Sequence, residues 1–108
     1  MSYRVVITDN AKANLRSYYL HAAQQAPVTA VRWLSRFETA LATLATNPER
    51  CAIAPENDAV DEEIRQFLFG KRYNIFRALY TIAANEVRVL HVRRAVMDTA
   101  SPEELYGR

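Results

Sequence analysis

Arginine dominates the side chains of this sequence that could do chemistry. Among 108 residues there are twelve Arg against two Lys. The planar guanidinium fork grips phosphate or carboxylate through two parallel bonds, so this preference points to oxyanion recognition. The charge is also unevenly placed. Residues 65–97 hold seven basic groups, Arg65, Lys71, Arg72, Arg77, Arg88, Arg93 and Arg94, and one acid, Glu86. Residues 1–64 carry a balance of −2, and so do residues 98–108. A basic stripe is the electrostatic footprint of a nucleic-acid or acidic-protein partner. A solvated basic surface balanced by the rest of the fold is the competing reading.

The remaining reactive residue types carry weaker signals. His91 has a free pKa near neutrality and could serve as acid or base, but its place in a strand reads more simply as a core histidine. His21 reads as a surface residue of a helix. The single Cys51 excludes an internal disulfide and gives no metal cluster. Glu56, Asp58, Asp61, Glu62 and Glu63 resemble a metal-binding run only in composition and read as a solvated acidic loop. Trp33 and Phe37 stand one helical turn apart and read as core. Tyr18 and Tyr19 cannot both point inward. Tyr106, in the tail, is a candidate catalytic tyrosine.

The elements that must position these groups follow from pattern. Tyr3–Thr8 is a β-branched run and predicts a strand. Thr8, Asp9 and Asn10 are all helix-capping types. Ala11, Leu15, Tyr18, Ala22 and Ala26 then recur at steps of three and four, as in an amphipathic helix. Pro27 suits the first turn of a second helix, on which Val31, Leu34, Phe37, Leu41 and Leu44 form the stripe, ending near Asn47-Pro48. Two helices joined at Pro27 predict an antiparallel hairpin. Residues 48–62 lack a period and hold two Pro and five acids, which predicts a loop. Three strands follow, Glu63–Phe69, Tyr73–Ala83 and Glu86–Arg94, joined by turns at Gly70-Lys71-Arg72 and Ala84-Asn85. Ser101-Pro102-Glu103-Glu104 predicts a cap and a short last helix closed by Gly107. The class is α+β, in the order β-α-α-β-β-β with a C-terminal helix, the last three strands forming an antiparallel meander and the helical hairpin packed on one sheet face.

Strand side chains alternate between faces, so turn lengths decide which arginines meet. A two-residue turn at Ala84-Asn85 pairs Ala83 with Glu86. Phe76, Ala78, Tyr80 and Ile82 then share a face with Val87, Val89, His91 and Arg93, and this more apolar face belongs against the helices. Arg77 and Arg94 fall on the other face. A three-residue turn at 70–72 pairs Phe69 with Tyr73 and Arg65 with Arg77. Arg65, Arg77 and Arg94 would then cluster, with Arg88 further along. Such a group could hold a phosphate and stabilise charge developing on it. Alternatively, the acidic loop at 56–63 folds over and pairs with the arginines.

Length and composition bound the class. The chain has room for one domain, residues 1–108, and half its residues are apolar, enough for one core. No stretch approaches the roughly 18 apolar residues of a membrane span, and the N-terminus lacks a signal peptide. A cytosolic protein fits these features.

Several segments together resemble the RelE/ParE toxins. Phe76-Arg77-Ala78-Leu79-Tyr80-Thr81-Ile82 is similar to the family's Tyr-Arg-Ile-x-Tyr-x-Ile strand. Val89-Leu90-His91-Val92-Arg93-Arg94 resembles the final strand, Glu63–Gly70 the strand before the central one, and Leu41-x-x-Leu44-x-x-Asn47-Pro48-x-Arg50 the end of the second helix. The match spans nearly the whole chain, in order. It implies a growth-inhibiting toxin of a type II toxin–antitoxin (plasmid stabilisation) module, neutralised by a cognate antitoxin that wraps it with a helix and an extended segment. It implies no metal, no cofactor and no small-molecule substrate. Two targets stay open: DNA gyrase for ParE-like members, or messenger RNA in the ribosome for RelE-like endoribonucleases. A non-toxic member retaining only antitoxin binding is a third reading. If the chain is RelE-like, the resemblance assigns catalysis to Arg77, Arg94 and Tyr106. In either case Arg65, Lys71, Arg72, Arg77, Arg88, Arg93 and Arg94 are the candidates for binding target or phosphate. The acidic residues 52–63, where RNA-cutting members carry basic ones, and the long hairpin bring the chain closer to ParE-like members.

Overall fold

A computed structural model describes residues 2–108. The β-branched run near the N-terminus forms β1 (Arg4–Ile7). Thr8 ends it with an extended backbone, and its hydroxyl accepts from the Ala11 amide to cap α1 (Asp9–Ala23). Pro27 opens α2 (Pro27–Ala42), where its missing N–H would have had no intrahelical partner. Three short 3-10 turns, Thr43–Ala45, Pro48–Arg50 and Pro55–Ala59, carry the chain to the meander. The meander is β2 (Arg65–Lys71), β3 (Asn74–Ala83) and β4 (Glu86–Arg94). A capping box between Ser101 and Glu104 starts α3 (Pro102–Tyr106), and Gly107 ends it at φ 74°. A Cβ on Gly107 would come within 2.8 Å of Asn10, so close approach as well as φ demands glycine there.

The sheet order is β1-β4-β3-β2, with β1 parallel to β4 and the other pairs antiparallel. One face packs on the helical hairpin, as the amphipathic patterns predict. Leu15, Phe37 and Leu41 meet Phe76, Tyr80 and Val89 in that core. The α2 stripe runs through Ala30, Phe37 and Leu41, whereas Val31 is exposed. The opposite face is covered too. Ala54 and Ile64, with Leu105 of α3, close over Leu79 and Leu90 as a second core. The stretch read as a plain solvated loop is therefore a structural lid on the sheet. Among the described residues no helix is long and apolar enough to cross a membrane.

The register differs from the expectation at two places, and each difference moves arginines. The β2–β3 turn is Arg72-Tyr73 rather than 70–72, since Lys71 pairs with Asn74. Gly70 lies inside β2 at φ 119°, where a Cβ would sit 2.0 Å from the Asn74 carbonyl oxygen. The glycine serves a distorted strand position, not the turn. Arg65 consequently pairs with Tyr80, and Leu68 opposes Arg77. The second difference lies in β4. Ala83 pairs with Glu86 as predicted, but the ladder shifts by one residue between Tyr80↔Val89 and Leu79↔His91. Leu90 is the extra residue of a β-bulge. Beyond it Arg77 pairs with Arg93, and Phe76 with Arg94. His91 accordingly stands on Leu79's face, not beside Ala78.

β1 stops at Ile7, leaving the rest of the β4 edge unpaired. Side chains of the first turns of α1 take over. Thr8 Oγ1 donates to the Val89 carbonyl, Asn10 Nδ2 to the Leu90 carbonyl, and Asn14 Oδ1 accepts from the Val92 amide. Sheet edges need such cover, because unpaired N–H and C=O groups invite foreign strands.

Candidate functional site

Arg77 stands in the middle of β3 and is buried. Its two terminal nitrogens donate to the two carboxylate oxygens of Glu56 at 2.9 and 2.8 Å, a bidentate pair. Nη1 also donates to Gln66 Oε1 at 3.1 Å. Glu56, only 1% exposed, accepts a further bond from the Ala100 amide at 2.8 Å. Burial pushes the Glu56 carboxyl up, but the bonds from Arg77 and Ala100 outweigh it and hold the pKa below its ordinary value. The acidic loop thus folds over the sheet and neutralises the central arginine, the second of the two alternatives read from the sequence.

The other cations are dispersed. Arg65 lies on the hairpin face of the sheet, where its Nη1 donates to the Glu49 and Cys51 carbonyls and its Nε to Glu63. Arg88, exposed on the sheet face opposite the helical hairpin, approaches Glu86 at 3.6 Å. Arg93 shares Arg77's face and is buried, 3.5 Å from Glu104. Arg94 is on the opposite face, at the end of the sheet that carries the β2–β3 turn, and donates to the Tyr73 carbonyl. The expected cluster of Arg65, Arg77 and Arg94 is not assembled, because each of the two register differences moves one of its members to the hairpin face. Tyr106 turns to the loop, donating to Glu62 at 2.6 Å, with Arg108 stacked over its ring. Burial and the Glu62 carboxylate push its pKa up to about 12, which suits it poorly to act as a base.

His91 is buried beside Asn10, whose Nδ2 lies 3.4 Å from Nδ1. Burial lowers its pKa, and the neighbouring Arg93 adds to the effect. Cys51 is a half-buried free thiol. Among the described residues no group of three His, Cys, Asp or Glu could hold a metal ion.

What remains open at the surface is the tip of the β2–β3 hairpin. Lys71, Arg72 and Tyr73 are all exposed, Tyr73 at 86%, and Arg72 occupies a left-handed turn position at φ 56°. Beside the tip lies an apolar groove of about 310 Å³ between the helical hairpin and the sheet. Tyr18, Ala26, Trp33 and Phe76 line it, with Asn74 and Arg94 at the hairpin end. The sequence signalled the basic tip through Lys71 and Arg72. It gave no sign of the groove, which depends on how the two helices cross the sheet.

No curated protein matches this sequence. Among solved structures, a chain described as the chromosomal ParDE TA system from P. aeruginosa superposes with a TM-score of 0.69 at 20% identity, covering 86% of this chain and 96% of that one. At that identity the likeness establishes a shared fold. A family model described as the ParE toxin of type II toxin-antitoxin system, parDE, matches residues 5–99, and the chain belongs to this ParE toxin family.

Proposed function

We propose that the protein is a ParE-like toxin that inhibits DNA gyrase through protein contacts in the cytoplasm and is neutralised by a cognate antitoxin. The observation that carries the choice of target is the Glu56–Arg77 pair. A ribonuclease of this family would need the central arginine free to meet a phosphate, and here both of its terminal nitrogens are engaged by a buried carboxylate. Arg94 stands on the opposite face of the sheet from Arg77, and Tyr106 is held by Glu62. Lys71, Arg72 and Tyr73 supply the surface that contacts the target, a compact tip in which Arg72 and Tyr73 are of residue types enriched in protein interfaces. The neighbouring apolar groove takes the helix of the antitoxin, an amphipathic helix in a groove being a recurrent recognition mode.

Inducible expression of the chain alone tests this reading, with growth, total protein synthesis and a DNA-damage reporter followed together. Filamentation with damage signalling is expected, and purified protein inhibits gyrase supercoiling. Arrested translation without damage would establish the ribosome-dependent nuclease instead. Normal growth with soluble protein would leave antitoxin binding as the remaining role.

A further inference from the structure

The arginines of the last three strands differ in what neutralises them. Arg65, Arg77, Arg88 and Arg93 each stand between 2.8 and 3.6 Å from a carboxylate, those of Glu63, Glu56, Glu86 and Glu104. Arg94 has no such partner among the described residues. Its one bond runs from Nη2 to the Tyr73 carbonyl at 3.3 Å, which leaves Nε and Nη1 uncommitted. Lys71 and Arg72 lack an acid too, but they are exposed and water solvates them. Arg94 is half-buried, and a carboxylate stabilises a cation partly withdrawn from water more than it does an exposed one.

The sheet decides where Arg94 points. It pairs with Phe76, and directly paired residues share a face. Both line the apolar groove of about 310 Å³ between the helical hairpin and the sheet. Trp33 and Tyr18 stand against Phe76 there, with ring centroids 5.1 and 5.0 Å from its own. No acid is present among the groove walls, whose basic side chains are His21 and Arg94. The natural complement of such walls is an apolar surface that brings its own carboxylate to the Arg94 end.

We propose that Arg94 is the ionic anchor of this groove: the antitoxin helix that fills it carries an Asp or Glu whose carboxylate takes the free side of the guanidinium, and this pair discriminates the cognate antitoxin by charge. The proposal rests on the assignment of the groove to the antitoxin and adds the chemistry that the antitoxin must bring. A helix docked by apolar side chains alone can shift by a turn with little penalty. A carboxylate held against a half-buried guanidinium fixes its register, and a like charge at that position is rejected.

The test is calorimetric titration of the full chain with its cognate antitoxin, followed also by the fluorescence of Trp33, the only Trp of the chain and a wall of the groove. Arg94→Gln, which keeps a donor for the Tyr73 carbonyl, is expected to weaken binding roughly tenfold or more, and Arg94→Glu further. Each Asp and Glu of the antitoxin is then changed to Lys in turn, which leaves the fold of this chain untouched. One of these antitoxin variants is expected to lose affinity for the unmodified chain and to regain it with Arg94→Glu, a coupling that general damage to either partner does not produce. Antitoxin that binds Arg94→Gln as tightly as the parent, or an acidic scan in which no position is coupled to Arg94, overturns the proposal and leaves the groove to an antitoxin held by apolar contacts. Loss of gyrase inhibition in Arg94→Gln with antitoxin binding intact also overturns it and gives the cation to the target. An antitoxin that does not bind the unmodified chain overturns the underlying assignment of the groove and this proposal together.

Discussion

At the scale of single residues, the Arg77–Glu56 pair separates a structural from a catalytic role. A catalytic arginine can be replaced with loss of activity and retention of fold. Here Arg77→Ala would strand a buried carboxylate, and breaking a buried pair from one side costs about 3–5 kcal/mol. Urea denaturation should therefore show a large loss of stability for Arg77→Ala and for Glu56→Ala. The double variant Glu56→Gln/Arg77→Met removes both charges and keeps an acceptor for the Ala100 amide, and it should recover most of the loss. Equal activity loss with unchanged unfolding midpoints would instead return Arg77 to catalysis. The pair also sets a pH dependence. The folded Glu56 carboxyl is held below its unfolded value of about 4.3, so its contribution is complete above that pH and is lost as pH falls through the folded value. Acid titration followed by circular dichroism should show this loss, and Glu56→Gln, already lacking the charge, should have a flatter acid limb.

At the scale of elements, the sequence made plain what local periodicity determines. Both helices, their caps and the order of strands are written in repeats of three, four and two, and in Thr8, Pro27 and Ser101. The register was not legible, because it depends on single residues whose effects are not periodic. Gly70 looks like a turn residue, yet its positive φ belongs to a strand position pressed against the Asn74 carbonyl. Leu90 looks like an ordinary alternating residue, yet it is the bulge that sends His91 and Arg93 to one face and Arg94 to the other. Gly70→Ala tests the first point. Strain at such a φ alone costs on the order of 1–3 kcal/mol, and the 2.0 Å approach adds to it, so thermal unfolding should occur well below that of the parent. Ser101→Ala is a milder change. It removes the N-cap acceptor of α3 and should cost about 1 kcal/mol, whereas a loss near zero would mean that packing of Leu105 alone holds the helix.

At the scale of the molecule, the charge asymmetry read from the sequence proves to be largely internal. Acids from the loop and from α3 reach across to the basic strands, as Glu56 does to Arg77 and Glu104 to Arg93, so a chain split into acidic and basic segments folds into a locally balanced body. The β2–β3 end of the sheet departs from this, where Lys71 and Arg72 stand exposed beside Tyr73 and Arg94 bonds only to the Tyr73 carbonyl. Folding places no demand on the tip side chains, so substitutions there should leave stability within about 0.5 kcal/mol. Under the gyrase reading they carry contact energy. A Lys71→Glu/Arg72→Glu variant reverses the tip's charge, and Tyr73→Ala removes its aromatic ring. Both should relieve growth arrest and weaken inhibition of supercoiling by purified gyrase, by tenfold or more if the tip behaves as an interface hot spot of about 2 kcal/mol. The charge reversal should also make the residual inhibition less sensitive to salt, since steering by exposed charge is screened over about 10 Å at 0.1 M. Antitoxin binding, assigned to the groove, should be less affected than gyrase inhibition. If inhibition is unchanged while the groove variant Trp33→Ala, checked for folding, abolishes it, the target is met by the helical hairpin and antitoxin and target compete for one surface.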